Sequence, residues 1–389
     1  MSGSLLIRLG ILEDGRRTVY DNRRLLLRYA ANRARYVDEK PVYWWLARRI
    51  SEEGLMVIKI VTPMLIAIVF SYVCADVADA QVQLVRVHTG VDQVPGAEFN
   101  AAVNLTNKNV KAFGMIFVPD TTRRVGAVLV LVERGPNSPL AAQTRFGDPG
   151  WRRLAQTCTC ALLYVRLDTI RAVDASISAA GDVLRNASVG GANAVLSLLE
   201  RLGGESGHLE VRDAPVVFWA WSSAASFGTT FAELYPERTV AFVRYHTHLR
   251  GLPADIQVLR KIPALLIAGG KDDNAGTDDA TTLFKSGRSA RAPWTFAIEP
   301  NATHGDSEEI FMQSSEDLIF PWVVGVIRQR VVPGSSKLRP VTDDGGWLAD
   351  NQSAEIAPYS GFPHAKTEAS WLPDEATARG WRNVQRAGK

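Results

Sequence analysis

The stretch Val216–Ser226, with the sequence VVFWAWSSAAS, carries the strongest structural signal in this chain. Its first six residues are apolar and rich in β-branched and aromatic side chains, which is typical of a buried strand. The run ends at Ser222, and small helix-forming residues follow it. A strand that enters a helix through a tight turn can hold a nucleophile at that turn. We therefore expect Ser222 to be a nucleophile, and the alternative is a serine that caps an ordinary helix.

The residues that flank this serine depart from the usual pattern. The consensus G-x-S-x-G has glycine two residues before and after the nucleophile, because the strained turn accepts only small side chains. Here Ala220 and Ala224 occupy those positions. Alanine is the next smallest residue and is compatible with the turn. Ser223 is a poorer candidate, because Trp221 would then stand at a small position.

A nucleophilic serine needs a carboxylate that orients its base. Residues 262–268, IPALLIA, predict another buried strand, which leads through two glycines into Asp272. A carboxylate just past the carboxyl end of a strand is where an α/β sheet places its chemistry. We expect Asp272 to be the acid, and Asp273 is the alternative.

The candidate base is His304. It follows a predicted strand at residues 294–298 and lies in a loop beside a glycine. The chain order is therefore Ser222, Asp272, His304. This is the order of α/β-hydrolases, whereas chymotrypsin and subtilisin use other orders.

From about Val125 to Arg330 the chain resembles an α/β-hydrolase of the esterase, lipase and polyester-depolymerase type. The segment YPER at residues 235–238 resembles the corresponding helix end in many members. The resemblance implies a mostly parallel central sheet flanked by helices, in the α/β class. It implies that Ser222 is the nucleophile, that His304 is the general base and then the acid, and that Asp272 fixes the imidazole tautomer. About fifteen residues separate the strand at 240–245 from the acid-bearing strand, so we expect no large cap domain.

Acyl transfer also needs hydrogen-bond donors for the developing oxyanion. One donor is expected from the backbone N–H of Ser223, directly after the nucleophile. The other is expected from the loop after the predicted strand at 127–132, where relatives often carry His-Gly and this chain has Arg134-Gly135. Pro136 has no N–H to donate. The remaining candidates are Gly135, Asn137 and Ser138. The alternative for this loop is an ordinary turn.

Two further residues are candidates for the substrate pocket. Trp221 precedes the serine, and His246 follows the predicted strand at 240–245. The alternatives are that Trp221 packs beneath the pocket and that His246 is a polar residue at a strand end. Two histidines, at 246 and 248, without a third ligand do not make a zinc site. We expect no metal and no organic cofactor, and we expect Cys158 and Cys160 to be small, mostly buried residues because a bridge between them would be strained.

The sequence near residue 60 predicts a signal peptide. Lys59 precedes an apolar run at about 60–75, and Ala78-Asp79-Ala80 forms an A-x-A site. The run is shorter than the roughly 20 residues of a membrane-spanning helix. We expect residues 56–80 to be removed near Ala80-Gln81, leaving a secreted or periplasmic protein. The alternative is an uncleaved signal anchor.

Residues 1–55 precede this predicted signal and are rich in arginine, with a surplus of about four positive charges. We expect either that translation begins at Met56 or that these residues form a cytoplasmic extension. The remainder is near neutral, so charge does not indicate a nucleic-acid partner. The expected partner is a small-molecule or polymeric ester, and a membrane only if the signal stays uncleaved.

We expect residues 81–332 to form the catalytic domain and residues 333–389 to form an extension that packs on it as a hairpin and a short helix. The tail contains tryptophans at 347 and 371 and is too aromatic for a disordered segment. The expected activity is ester hydrolysis. The alternatives are a serine peptidase, an acyltransferase or a non-catalytic binding protein on the same fold.

Overall fold

A mostly parallel sheet of nine strands organises the residues that the computed structural model describes, which are 86–87, 94–133, 141–170, 186–248, 255–304 and 315–386. Its strands are β1 Arg86–Val87, β2 Gly96–Leu105, β3 Val110–Pro119, β4 Val128–Val132, β5 Ala161–Thr169, β6 Val216–Trp221, β7 Thr239–Tyr245, β8 Ala264–Gly269 and β9 Trp294–Glu299. Their spatial order is β1-β2-β3-β5-β4-β6-β7-β8-β9. β1 to β3 pair antiparallel, as do β3 and β5, and the pairs from β5 across to β9 are parallel.

Helices cover both faces of the sheet. They are α1 Ala141–Gly147, α2 Pro149–Thr157, α3 Gly191–Ser206, α4 Ala225–Leu234, α5 Ile256–Leu259, α6 Asp278–Ser289, α7 Glu316–Arg330 and α8 Glu375–Arg386. Because side chains of a strand alternate between faces, the valines of β4 belong to the hydrophobic cluster that includes α3, α4 and α6, and its leucines belong to the cluster that includes α1, α2 and α7. Burial on both faces explains why the central strands are continuous apolar runs. The predicted α/β-hydrolase fold class is confirmed.

Helix α2 begins at a side-chain cap followed by a proline. The carboxylate of Asp148 accepts the backbone N–H groups of Gly150 and Trp151, at 2.7 and 3.1 Å, and Pro149 occupies the first helical position. Cys158 and Cys160, which follow this helix, are free thiols, and Cys160 is buried.

The connection from β7 to β8 spans only residues 246–263, which is too short for a separate cap domain. Its described part contains the single turn α5. In the regions that the structure describes, none of the helices has the length and apolar character needed to span a bilayer.

The carboxyl-terminal segment covers the outer edge of β9. It contains a small sheet of β10 Trp347–Ala349, β11 Ile356–Pro358 and β12 Ser370–Leu372, with β10 in the centre. The sequence predicted a hairpin of two strands here, whereas the structure has three, because β12 also pairs with β10. Ser370 Oγ bonds both the N–H and the carbonyl of Phe296, at 2.9 and 3.0 Å, and Trp381 Nε1 donates to the same carbonyl at 2.6 Å. Side chains thus satisfy backbone groups that an edge strand would otherwise expose.

Candidate active site

Ser222 occupies a strained turn between β6 and α4. Its φ of 56° lies in the left-handed region, which is unfavourable for a residue with a Cβ. Ala220 and Ala224 on either side are buried with almost no exposed surface, so larger side chains would not fit. The alanines therefore fill the positions at which the consensus has glycine.

Close packing of α4 on β6 accompanies this turn. Gly228 of α4 lies directly over Phe218 of β6, and a Cβ on Gly228 would come within 2.8 Å of the Cβ of Phe218. Only glycine permits this approach without a shift of the helix. The glycine thus helps to define the position of the helix that follows the serine.

His304 lies within hydrogen-bonding distance of the serine. Its Nε2 is 2.9 Å from Ser222 Oγ, and the ring is buried. Trp221 Nε1 donates to the His304 carbonyl oxygen at 2.9 Å, and the two rings lie 5.3 Å apart. Of the two interpretations of Trp221, its described contacts support packing against the candidate base.

Asp272 faces the other side of the His304 ring. Its Oδ2 and Oδ1 are 2.9 and 3.1 Å from His304 Nδ1. The backbone N–H groups of Asn274 and Ala275 donate to Oδ1 at 3.0 and 2.7 Å, which fixes the carboxylate in a single orientation. Asp273 is exposed to solvent. The structure therefore brings Asp272, and not Asp273, to the candidate base.

Two glycines let the loop of the acid meet the loop of the base. The N–H of Gly270 donates to the Glu299 carbonyl at 2.8 Å, and the N–H of Lys271 donates to the Ala302 carbonyl at 3.0 Å. A Cβ on Gly269 would come within 2.5 Å of the Ala302 carbonyl oxygen. A Cβ on Gly270 would come equally close to the Pro300 carbonyl oxygen, so the GG pair at the end of β8 is required for the approach of the two loops.

His246 lies behind Asp272 and is fully buried. Its Nε2 is 2.8 Å from Glu299 Oε2, and its Nδ1 is 2.9 Å from the Thr303 carbonyl oxygen and 3.8 Å from Asp272 Oδ2. These contacts are with protein groups around the acid and the base, whereas the sequence predicted a residue of the substrate pocket.

Glu299 is a residue that sequence reasoning missed. It ends β9, is buried, and also accepts the phenol O–H of Tyr245 at 2.6 Å. Burial and the neighbouring Glu299 raise the pKa of Tyr245 well above its ordinary value, so the phenol keeps its proton. The rule that identified Asp272, a carboxylate at the end of a strand, would also have identified Glu299.

The predicted oxyanion donors are described only in part. Ser223 is half-buried in the short 3-10 turn Ser222–Ala224 that opens the nucleophile helix. Gly135 and Asn137 lie outside the described residues, which end at Glu133 after β4 and resume at Ala141. Within the described ranges, no cluster of three His, Cys, Asp or Glu side chains has the arrangement of a metal site.

No protein-family model matches the chain, and no curated protein is significantly similar to it in sequence. Its structure is similar to a ferulic acid esterase, with 12% identity, 60% of this chain and 98% of that chain covered, and a TM-score of 0.45. It is also similar to an S-formylglutathione hydrolase from Agrobacterium tumefaciens, with 15% identity, coverage of 63% and 100%, and a TM-score of 0.44. For a thermostable esterase the identity is 12%, the TM-score is 0.41, and the match spans 55% of this chain and 56% of the other. At such low identity the chemistry must be inferred from the side chains of the site itself.

Proposed function

We propose that this protein is a serine hydrolase that cleaves carboxylic esters through an acyl-enzyme. The observation that carries the proposal is the continuous line of hydrogen bonds from Ser222 Oγ through His304 to Asp272. Nucleophile, base and orienting carboxylate in this geometry are the elements of triad catalysis.

The reaction has two halves. Ser222 Oγ bonds the ester carbonyl carbon while its proton passes to His304 Nε2, and the carbonyl electrons move onto oxygen. The N–H of Ser223 is a proposed donor to that oxyanion, together with an N–H of Gly135, Asn137 or Ser138. Collapse breaks the bond to the alcohol, which leaves with the proton from His304. Water then attacks the acyl-enzyme by the same route and releases the acid.

Asp272 supports both halves. Its carboxylate holds the His304 Nδ1 proton, so Nε2 is free to accept the serine proton, and its negative charge stabilises the imidazolium that forms. The two backbone N–H groups on Oδ1 keep the carboxylate in place.

The test compares the purified protein with Ser222→Ala in hydrolysis of p-nitrophenyl acetate and butyrate and in labelling by a fluorophosphonate. We expect the wild type to hydrolyse and to label, and both signals to disappear in the variant. A folded wild type that does not label would contradict the proposal and favour a binding protein. Hydrolysis of amides in preference to esters would indicate a peptidase, and product formation that depends on an added alcohol would indicate an acyltransferase.

We also propose that the protein is exported and that residues 56–80 are the signal that is cleaved from it. The apolar run and the A-x-A site support this. The amino-terminal sequence of the mature protein should begin at Gln81, and a mature amino terminus before Met56 would contradict cleavage and favour the uncleaved anchor.

A further inference from the structure

His246 has an oxygen atom within hydrogen-bonding distance of each ring nitrogen. The Thr303 carbonyl oxygen, 2.9 Å from Nδ1, can only accept, so Nδ1 carries a proton. The carboxyl group of Glu299 lies on the other side of the ring, with Oε2 2.8 Å from Nε2. The ring is therefore held at both of its nitrogens.

Glu299 is itself held in place by a second partner. The Tyr245 phenol donates to the same Oε2 that faces His246, at 2.6 Å. The Tyr245 ring also stacks on the His246 ring, with centroids 4.2 Å apart and planes 3° apart. His246 is thus fixed between β7, β9 and the loop of the candidate base.

The contacts of His246 lead directly to the candidate base. Thr303 precedes His304 in the chain, and Trp221 Nε1 binds the next carbonyl, that of His304 itself. Two consecutive carbonyls of the base loop are thus held by ring N–H donors from the ends of β7 and β6. The ring of His246 also lies beside Asp272, with Nδ1 3.8 Å from Oδ2.

We propose that His246 is a positioning residue. Its ring holds the Thr303 carbonyl and lies beside Asp272, and through them it keeps His304 Nε2 within hydrogen-bonding distance of Ser222 Oγ. This inference rests on the proposed hydrolase function and adds a residue that never touches the substrate.

The first test is His246→Asn, because asparagine tolerates the left-handed backbone of this position, where φ is 45°. A base displaced by a fraction of an ångström reacts slowly, so we expect kcat to fall about 100-fold while KM changes by less than about twofold. The matched control is His248→Asn, two residues away and partly exposed, which should retain both constants. A kcat of His246→Asn equal to that of the wild type would overturn the inference.

The second test needs no active variant. Long-range ¹H–¹⁵N spectra of the ¹⁵N-histidine-labelled full chain should show a proton on His246 Nδ1, the nitrogen that faces the Thr303 carbonyl, with the resonances assigned by their loss in His246→Asn. An unprotonated Nδ1 would overturn the inference. If His246→Asn does not fold, Glu299→Gln replaces it in the kinetic measurement and should slow kcat in the same direction.

The two proposals fail in different ways. A wild type that does not react with fluorophosphonate removes the hydrolase and the positioning role together. A wild type that reacts, beside a His246→Asn variant that reacts equally fast, removes only the role of His246.

Discussion

The neighbouring strands β6 and β7 are each followed by a non-glycine residue with a left-handed backbone, and the two side chains have different surroundings. Ser222 follows β6 with φ 56°, and His246 follows β7 with φ 45°. Neither is glycine, so each conformation costs about 1–2 kcal/mol relative to a right-handed one. Such strain persists only where surrounding contacts over-determine the backbone.

The two side chains differ in what they face. Ser222 directs its hydroxyl at His304 Nε2, whereas His246 is enclosed between a carboxylate and a carbonyl. Both contact the same loop, at His304 and at Thr303. The comparison teaches that the same left-handed backbone conformation can present a hydroxyl to His304 at one strand end and enclose a histidine behind the same loop at the next.

The largest expected effect is at Asp272, which lies between the two strand ends and faces both His304 and His246. Asp272→Asn should lower kcat about 10⁴-fold, because the amide no longer enforces the tautomer that the base needs. Asp273→Asn, at the exposed neighbour, should retain kcat. Steady-state kinetics on an activated ester measure both, and equal losses in the two variants would contradict the assignment of the acid.

The substitution His246→Gly tests whether the contacts of the His246 side chain stabilise the end of β7. His246→Gly relieves the left-handed strain but leaves Glu299 buried without its imidazole partner. Loss of one member of a buried pair costs about 3 kcal/mol or more, which outweighs the relief. We expect a lower urea midpoint than that of the wild type, and a higher midpoint would show that His246 is not held by these contacts.

The substitution Ser222→Gly should raise the stability of the protein, whereas His246→Gly should lower it. Ser222→Gly removes the strained Cβ and the hydroxyl, so we expect the free energy of unfolding to rise by about 1 kcal/mol while hydrolysis is lost. Urea unfolding beside the Ser222→Ala variant isolates the strain, since both lack the hydroxyl. Equal stability of the two variants would argue against strain at this turn.

The smallest effect concerns Glu316, a carboxylate that contrasts with Glu299. Burial, with help from Asp148, raises the pKa of Glu316 to about 7. A raised pKa means that the folded state holds the proton more tightly, so this contribution to stability is present near pH 4 and is lost as pH rises towards 7. Glu316→Gln should therefore gain stability relative to the wild type between pH 5 and pH 8. Urea midpoints of the wild type and the variant at pH 5 and at pH 8 measure this gain. A difference between the two proteins that is the same at both pH values would contradict the raised pKa of Glu316.

Much of this arrangement could be predicted from local sequence. Buried parallel strands are continuous apolar runs, and the residue that follows each run falls at one edge of the sheet. The sequence pattern alone therefore predicts that Ser222, Asp272 and His304 lie together at this edge. Their catalytic roles stay predictions until kinetics test them.

Other features depend on contacts that no local pattern encodes. The choice of Asp272 over Asp273 follows from a turn whose N–H groups bind one carboxylate. The position of His246 follows from Glu299, more than fifty residues away in the chain. Pattern reasoning treated His246 as a polar strand end or a pocket residue because its partners lie on another strand.

The covering of the outer edge of β9 by the carboxyl-terminal segment has a consequence for the synthesis of this protein. The Ser370 and Trp381 side chains that bind Phe296 follow it in the chain by 74 and 85 residues. When β9 leaves the ribosome or a translocation channel, its outer backbone groups are still open, and they remain so while those later residues are delivered. A premature stop between His304 and Ser370 would leave all nine strands of the sheet with the outer edge of β9 free to pair. For this protein the hazardous truncations are therefore the late ones, in which Ser222, Asp272 and His304 are already present.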